Sequence, residues 1–189
     1  GVFPTAPPID VMLIILAVCT AASCMEAVGG LDILVRFAAK IIRAKPKMVG
    51  VVAPVVSFFL TFFAGTGNAV YALLPVVYEV SYNAGVRPEP AMAGTAVAGQ
   101  VGITASPIAA AMAAMIGLFA QNGHGDIGLG QILMITFPAC LIGVILGSII
   151  CVFFGKDLKN DPAYQARLKA GLVLPPEKLS DRKLPPQAA

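Results

Sequence analysis

Three long stretches of this chain contain no charged side chain, and they constrain what it can fold into more than any other feature. They run from Met48 to Tyr78, from Pro90 to Gly125 and from Ile127 to Gly155. Each is longer than the roughly 20 apolar residues that an α-helix needs to cross a bilayer. Only 12% of the residues are charged, whereas a soluble domain carries about a quarter. The sequence therefore predicts an all-α integral membrane protein.

The first predicted span covers residues 9–28 and is followed by two glycines. The next segment predicts an amphipathic helix. Its apolar face carries Leu34, Phe37, Ile41 and Ile42. Its other face carries Arg36, Lys40 and Arg43. We expect this helix to lie in the membrane interface with its basic face toward the headgroups; a basic loop helix is the alternative.

A polar segment, FAGTGN at residues 63–68, interrupts the first uncharged stretch. At 1.5 Å per residue, residues 48–63 give about 24 Å of helix and residues 69–80 give only about 18 Å. Neither length comfortably spans a hydrocarbon core of about 30 Å. We therefore expect residues 48–80 to form a re-entrant hairpin, which enters and leaves the membrane on one face and has its polar tip at Gly65–Asn68.

The positions of the basic residues favour this hairpin, because it places all 13 Lys and Arg on one side of the membrane. Five lie within residues 36–47, one is Arg87, and seven follow residue 155. A single crossing by residues 48–80 would put the two large groups of basic residues on opposite sides of the membrane. Since Lys and Arg are enriched in cytoplasmic loops, we expect this side to be cytoplasmic. Two full spans would give the same sides, but the arms look too short for that.

A second irregular segment, ITASPI at residues 103–108, falls within the predicted helix of residues 90–120. Pro107 lacks the backbone N–H that a helix needs, and its ring clashes with the preceding turn. We expect two half-helices joined by an unwound link at Thr104–Pro107, and a kinked helix is the alternative. A last span is predicted at residues 131–154. The membrane domain then covers residues 1–155, and residues 156–189 form a cytoplasmic linker or tail.

Irregular backbone at membrane depth is tolerated only where protein buries it or where it lines a wet cavity. Two such interruptions are typical of secondary transporters. Helix N-termini at these points offer free N–H groups and partial positive charge, which suit a carboxylate. The candidate substrate-binding residues are therefore Gly65, Thr66, Gly67, Asn68, Thr104, Ala105, Ser106 and Pro107.

Each polar member of this set also has a structural alternative. Thr66 and Asn68 could cap the second arm of the hairpin instead of binding a ligand. Thr104 and Ser106 could donate to helix carbonyls that the proline frees.

Other classes of function lack the residues that they need. GTGN is not followed by the Gly-Lys-Ser/Thr of a phosphate-binding loop, which argues against an ATP-driven pump. His124 and Asp126 alone make a poor metal site. The spans contain neither paired carboxylates nor a Ser/His/Asp set. We therefore expect no catalytic residue, no metal, no cofactor and no nucleic-acid partner.

Several segments together resemble one known family. The specific ones are FFLTFFAGTGN and GITASPIAAA, supported by PPIDVMLIILAV, GGLDILV, LLPVVYEV and KDLKNDPAYQARLKAGL. Over residues 7–171 the chain resembles the anaerobic C4-dicarboxylate transporters of the Dcu A/B type. The resemblance implies a bacterial inner-membrane carrier that takes up or exchanges fumarate, malate, aspartate and succinate. It also implies inverted repeats, each with a hairpin and a broken helix.

The resemblance covers one such repeat. Family members are more than twice as long and begin upstream of the region that matches Gly1, so this chain resembles a first half without its opening span. The expected partners are the C4-dicarboxylate, membrane lipid and the missing C-terminal repeat. Sodium ions or protons as coupling ions, and a homodimer as the assembly, stay open. The alternative functions are a regulatory membrane module that binds a sensor protein and a carrier for another small organic anion.

The predicted topology can be tested with single cysteines in a cysteine-free background. Lys45→Cys, Arg87→Cys and Lys159→Cys should react with an impermeant thiol reagent only from the cytoplasmic side, because the hairpin leaves all three positions there. Asn122→Cys should react only from outside. Labelling in vesicles of both orientations measures this, and reaction of position 87 from outside would eliminate the hairpin.

Overall fold

The computed structural model describes residues 9–153 together with residues 162, 166, 167 and 170. In this part of the chain the regular structure is entirely helical, so the all-α prediction is confirmed. The helices are α1 (Ile9–Ala27), α2 (Gly30–Ala44), α3 (Val49–Ala64), α4 (Asn68–Ala84), α5 (Pro88–Thr104), α6 (Ala110–Gln121) and α7 (Leu129–Phe153), with a 3-10 turn at Pro46–Met48. The predicted tail, residues 156–189, lies outside the described residues apart from the four named above.

Helices α3 and α4 form the two arms of the predicted hairpin, and each ends at a glycine. Gly65 (φ 67°) and Gly85 (φ 72°) have left-handed backbone that only glycine adopts without strain. The N–H of Gly65 donates to the Thr61 carbonyl at 2.8 Å, which closes the last turn of α3. The two arms therefore stop where the sequence supplies glycine.

The second arm is longer than the sequence predicted. It continues to Ala84 instead of ending at residue 80, because the four residues after Val80 keep helical backbone until Gly85, whose left-handed conformation ends the helix. Its 17 residues give about 26 Å of helix. Arm length therefore gives little support to a hairpin that stops within the bilayer.

Two helices within the described residues are long and apolar enough to cross a membrane, Pro46–Ala64 and Leu129–Phe153. Of the most apolar 18 residues in each helix, 50% are buried among other helices in the first and 11% in the second. The first is therefore a central helix, whereas most of α7 faces outward. Helix α1 coincides with the predicted first span, residues 9–28.

Helix α3 is the centre of the packing. It contacts α2, α4, α5 and α7, and its contact with α5 is the most extensive in the described structure. A Cβ added at Gly102 of α5 would lie 2.5 Å from the carbonyl oxygen of Phe58 in α3, so the two backbones are closely apposed. The Ser57 hydroxyl of α3 also donates to the Thr95 carbonyl of α5 at 2.9 Å. On the other side, Phe58, Phe59 and Phe62 pack against Phe137 of α7.

Helix α2 packs against the hairpin arms with a different face from the one predicted to meet the membrane. The packed face consists of Leu31, Val35, Ala38, Ala39 and Ile42, and its two small alanines permit the close contact. On the predicted apolar face Ile42 is buried, whereas Phe37 is 66% exposed and Ile41 is 39% exposed. At the edge of the packed face the Arg43 guanidinium pairs with the Glu79 carboxylate of α4 at 2.9 Å.

The close contact of α3 with α5 makes a specific stability prediction. Gly102→Ala should lower the unfolding free energy by about 1–3 kcal/mol, because the new methyl overlaps a backbone carbonyl that cannot move aside. Denaturant unfolding of the purified protein in detergent measures this. Gly143→Ala is the matched control, since a Cβ there would meet no atom within 4 Å. Equal stability of the two variants would contradict the packing described above.

Candidate functional site

The tip, residues Gly65–Asn68, joins the arms of the hairpin. Gly65 and Thr66 end the first arm, and α4 begins at Asn68 with its N-terminus directed toward the tip. The backbone N–H of Asn68 donates to the Thr66 hydroxyl at 3.4 Å, a long and therefore weak hydrogen bond. Thr66 thus contacts the first N–H of α4, although the helix has no side-chain cap at Gly67.

The second interruption divides the predicted helix of residues 90–120 into α5 and α6. Five residues, Ala105–Ala109, separate the two helices and are called the break below. Ala109 has extended backbone (φ −73°, ψ 139°), so the chain changes direction before α6 begins. The prediction placed the unwound link at Thr104–Pro107; in the structure Thr104 is instead the last residue of α5.

A partly buried hydrogen bond connects the break to the first arm of the hairpin. The Ser106 hydroxyl donates to the carbonyl of Phe62 at 2.7 Å, and Ser106 is fully buried. Phe62 lies in the last turn of α3, where carbonyls have no intrahelical partner. Ser106 therefore satisfies a carbonyl that the end of α3 leaves free. This differs from both predicted roles, since its partner belongs neither to a ligand nor to its own helix.

The two glycines of the tip are packed against the break and the end of α5. A Cβ added at Gly65 would lie 3.0 Å from the carbonyl oxygen of Ile108. A Cβ added at Gly67 would lie 2.9 Å from the Cδ1 atom of Ile103 and 3.0 Å from the Nε2 atom of Gln100. The two segments that the sequence singled out, FAGTGN and ITASPI, are therefore in direct contact.

The whole chain, residues 1–189, matches the DcuA/DcuB family, described as anaerobic C4-dicarboxylate membrane transporters. The chain belongs to this family. The resemblance drawn from its sequence is therefore confirmed.

Curated relatives carry the same family name. The chain is 42% identical over 173 residues to the C4-dicarboxylate transporter DcuA of Wolinella succinogenes, which covers 92% of this chain and 39% of the relative. It is 42% identical over 174 residues to DcuA of Escherichia coli K12, covering 92% of this chain and 40% of the relative. For DcuB of Escherichia coli O6:H1 the identity is 41% over 165 residues, with 86% and 37% covered. The chain thus spans about two fifths of the length of these relatives. No solved structure matches it.

The candidate residues of this DcuA/DcuB chain fall into a buried and an accessible group. Ala105 and Ser106, which belong to the break, are buried. Asn68 and Thr104 are exposed, and neither side chain forms a hydrogen bond within residues 9–153. Free amide and hydroxyl groups at the tip and at the end of α5 are available to bind a ligand.

Sequence reasoning missed one polar side chain at this place. Gln100 is exposed and lies one helical turn before Thr104, with its amide next to Gly67. The signal was present, because an amide four residues before a polar residue shares its helix face. The irregular segment alone does not point to Gln100, because Gln100 lies on the regular helix before that segment.

The site carries no formal charge in the described structure. Between Lys47 and residue 153 the only basic side chain is Arg87, at the far end of α5 from the break. Within residues 9–153 no group of three or more His, Cys, Asp or Glu side chains is placed to hold a metal ion. The electrostatic features of the site are therefore the helix ends and the neutral donors.

The role of Ser106 as a structural bond can be tested by its removal. Ser106→Ala should lower the unfolding free energy in detergent by about 1–3 kcal/mol, because the buried Phe62 carbonyl then has no donor. Thr104→Ala removes a hydroxyl two residues away that is exposed and unpaired in the described structure, and it should change stability by less than about 0.5 kcal/mol. A larger loss in Thr104→Ala than in Ser106→Ala would contradict this assignment.

Proposed function

We propose that this chain is one repeat of a secondary carrier that moves C4-dicarboxylates such as fumarate, succinate, malate and aspartate across the bacterial inner membrane. Transport occurs by exchange or by uptake coupled to sodium ions or protons. The observation that supports the proposal best is the contact between the tip and the break, held by the bond from Ser106 to Phe62. It joins two interrupted helices at one point, which is where carriers of this architecture bind their substrates.

The helix ends at this point suit a carboxylate. Helix α4 begins in the tip, and α6 begins directly after the break. A helix N-terminus carries about half a positive charge and unpaired N–H groups. We propose that these N-termini attract one carboxylate group of the substrate.

In this proposal the eight candidate residues have different roles. Asn68 and Thr104 donate to the carboxylate from their exposed side chains. Thr66 caps α4, and Ala105, Ser106 and Pro107 hold the break in place. Gly65 and Gly67 let the tip approach α5 closely.

A dicarboxylate has a second charged end, which one tip and one break do not reach. In inverted-repeat carriers the site forms where two repeats meet near the middle of the membrane. We therefore propose that the C-terminal repeat supplies a matching tip for the second carboxylate. We also propose that α3 and α4 form a re-entrant hairpin, because this topology places all 13 Lys and Arg on one side of the membrane. Residues 1–155 then lie in the membrane, and residues 156–189 and the basic loops are cytoplasmic.

The described site has hydrogen-bond donors but no activated nucleophile or general base, so the proposed activity is transport and not catalysis.

The proposal is tested by counterflow of labelled fumarate in vesicles that contain the full-length carrier. Wild-type protein should show saturable exchange; a regulatory module without carrier activity would show none. Asn68→Ala should raise the half-saturation constant roughly tenfold, because a hydrogen bond to a charged group contributes about 1.5–3 kcal/mol.

The matched control is Asn83→Ala, which removes an exposed amide at the other end of the same helix. This variant should transport like the wild type. Equal half-saturation constants for Asn68→Ala and wild type would leave Asn68 with a structural role only.

A further inference from the structure

The exposed positions of α5 follow helical spacing: Glu89, Ala93, Val97, Gln100 and Thr104. Glu89 lies in the first turn of the helix, where its carboxylate pairs with Arg87. Ala93 and Val97 separate it from Gln100, and Val97 is 64% exposed and apolar. A second polar part of the line therefore begins at Gln100 and ends at the break.

The amide of Gln100 has no hydrogen-bond partner within residues 9–153. Polar groups at membrane depth need a partner, because an unsatisfied one costs several kcal/mol. Its partner is therefore water in a cavity, a ligand, or a part of the carrier outside this chain.

The structure favours a ligand because the tip leaves space for the Gln100 side chain at Gly67. Gly67 has ordinary helical backbone (φ −76°, ψ −14°), which any residue can adopt. Glycine at this position is therefore explained by space and not by backbone conformation. An added Cβ would lie 3.0 Å from Nε2 and 3.4 Å from Oε1 of Gln100. It would also lie 2.9 Å from Cδ1 of Ile103, so the glycine keeps room for both side chains and lets the Gln100 amide lie directly against the tip.

We infer that Gln100 is a further substrate ligand, whose side-chain N–H donates to the same carboxylate that Asn68 and Thr104 bind. This inference rests on the proposed function. A neutral amide suits the role because it donates to a carboxylate without adding a fixed charge. An acidic side chain at this position would repel the carboxylate, whereas the amide does not.

Transport by variants of the full-length carrier tests the inference. Gln100→Glu keeps the size of the side chain and replaces the donor with a negative charge. It should raise the half-saturation constant for fumarate counterflow by more than tenfold, and Gln100→Ala should raise it by a smaller factor. Gln121→Glu is the matched control, because Gln121 is an exposed glutamine at the end of α6. It should transport like the wild type.

A second measurement separates a ligand from a packing residue. If Gln100 binds substrate, Gln100→Ala should keep the wild-type unfolding midpoint in detergent. A lowered midpoint with an unchanged half-saturation constant would show that the amide pairs with another part of the carrier, and would overturn the inference. Wild-type half-saturation in both Gln100 variants would also overturn it. In either case saturable exchange by the wild-type protein would leave the proposed function standing.

The link to Gly67 adds an independent test. Gly67→Ala should also raise the half-saturation constant, because its methyl crowds the Gln100 amide and the Ile103 side chain. In the Gln100→Ala background the same change should have less effect, since only the contact with Ile103 remains. Effects that multiply independently would contradict the proposed contact.

Discussion

The hydrogen bond from Ser106 to the carbonyl of Phe62 is the interaction on which the rest of the site depends. Every helix end leaves backbone groups without partners, and in a bilayer no water is at hand to satisfy them. The end of α3 and the break each create this problem. Because they lie against one another, Ser106 satisfies Phe62, and the tip is packed against Ile108. One interruption would be costly alone, whereas the two interruptions compensate each other.

That contact requires α5 to lie very close to α3. Two further contacts between these helices, away from the break, hold them together. Gly102 removes the side chain that would separate the helices, and Ser57 bonds to the Thr95 carbonyl further along. The hairpin is also tied down away from its tip, where Arg43 of α2 pairs with Glu79 of α4. The Glu79 side chain is only 12% exposed, so this pair is better shielded than a surface ion pair. The tip is thus held on a well-packed base, while its accessible groups remain free to bind.

The sequence was sufficient to locate both interruptions, because glycine, proline and polar residues stand out in an uncharged stretch. It was insufficient where contacts between distant residues decide the outcome. Ser106 and Phe62 are 44 residues apart, and no local pattern shows that one is the partner of the other. The end of the second arm was placed at residue 80, although the helix continues to the glycine at residue 85. Gln100 was missed because its importance comes from its distance to Gly67 and not from its neighbours in sequence.

The absence of a fixed cation at the described site is consistent with a carrier. A helix end stabilises an anion by about 0.3–1 kcal/mol at exposed sites and up to about 2 kcal/mol where it is partly buried. Each hydrogen bond from a neutral donor to a charged group adds about 1.5–3 kcal/mol, before the cost of removing water from the anion is counted. In the proposed site, Asn68, Gln100 and Thr104 would bind a carboxylate through several moderate interactions. A buried Lys or Arg would concentrate the attraction in one strong pair. A carrier must release its substrate after each crossing, and several moderate bonds that break one at a time make release easier than a single ion pair does.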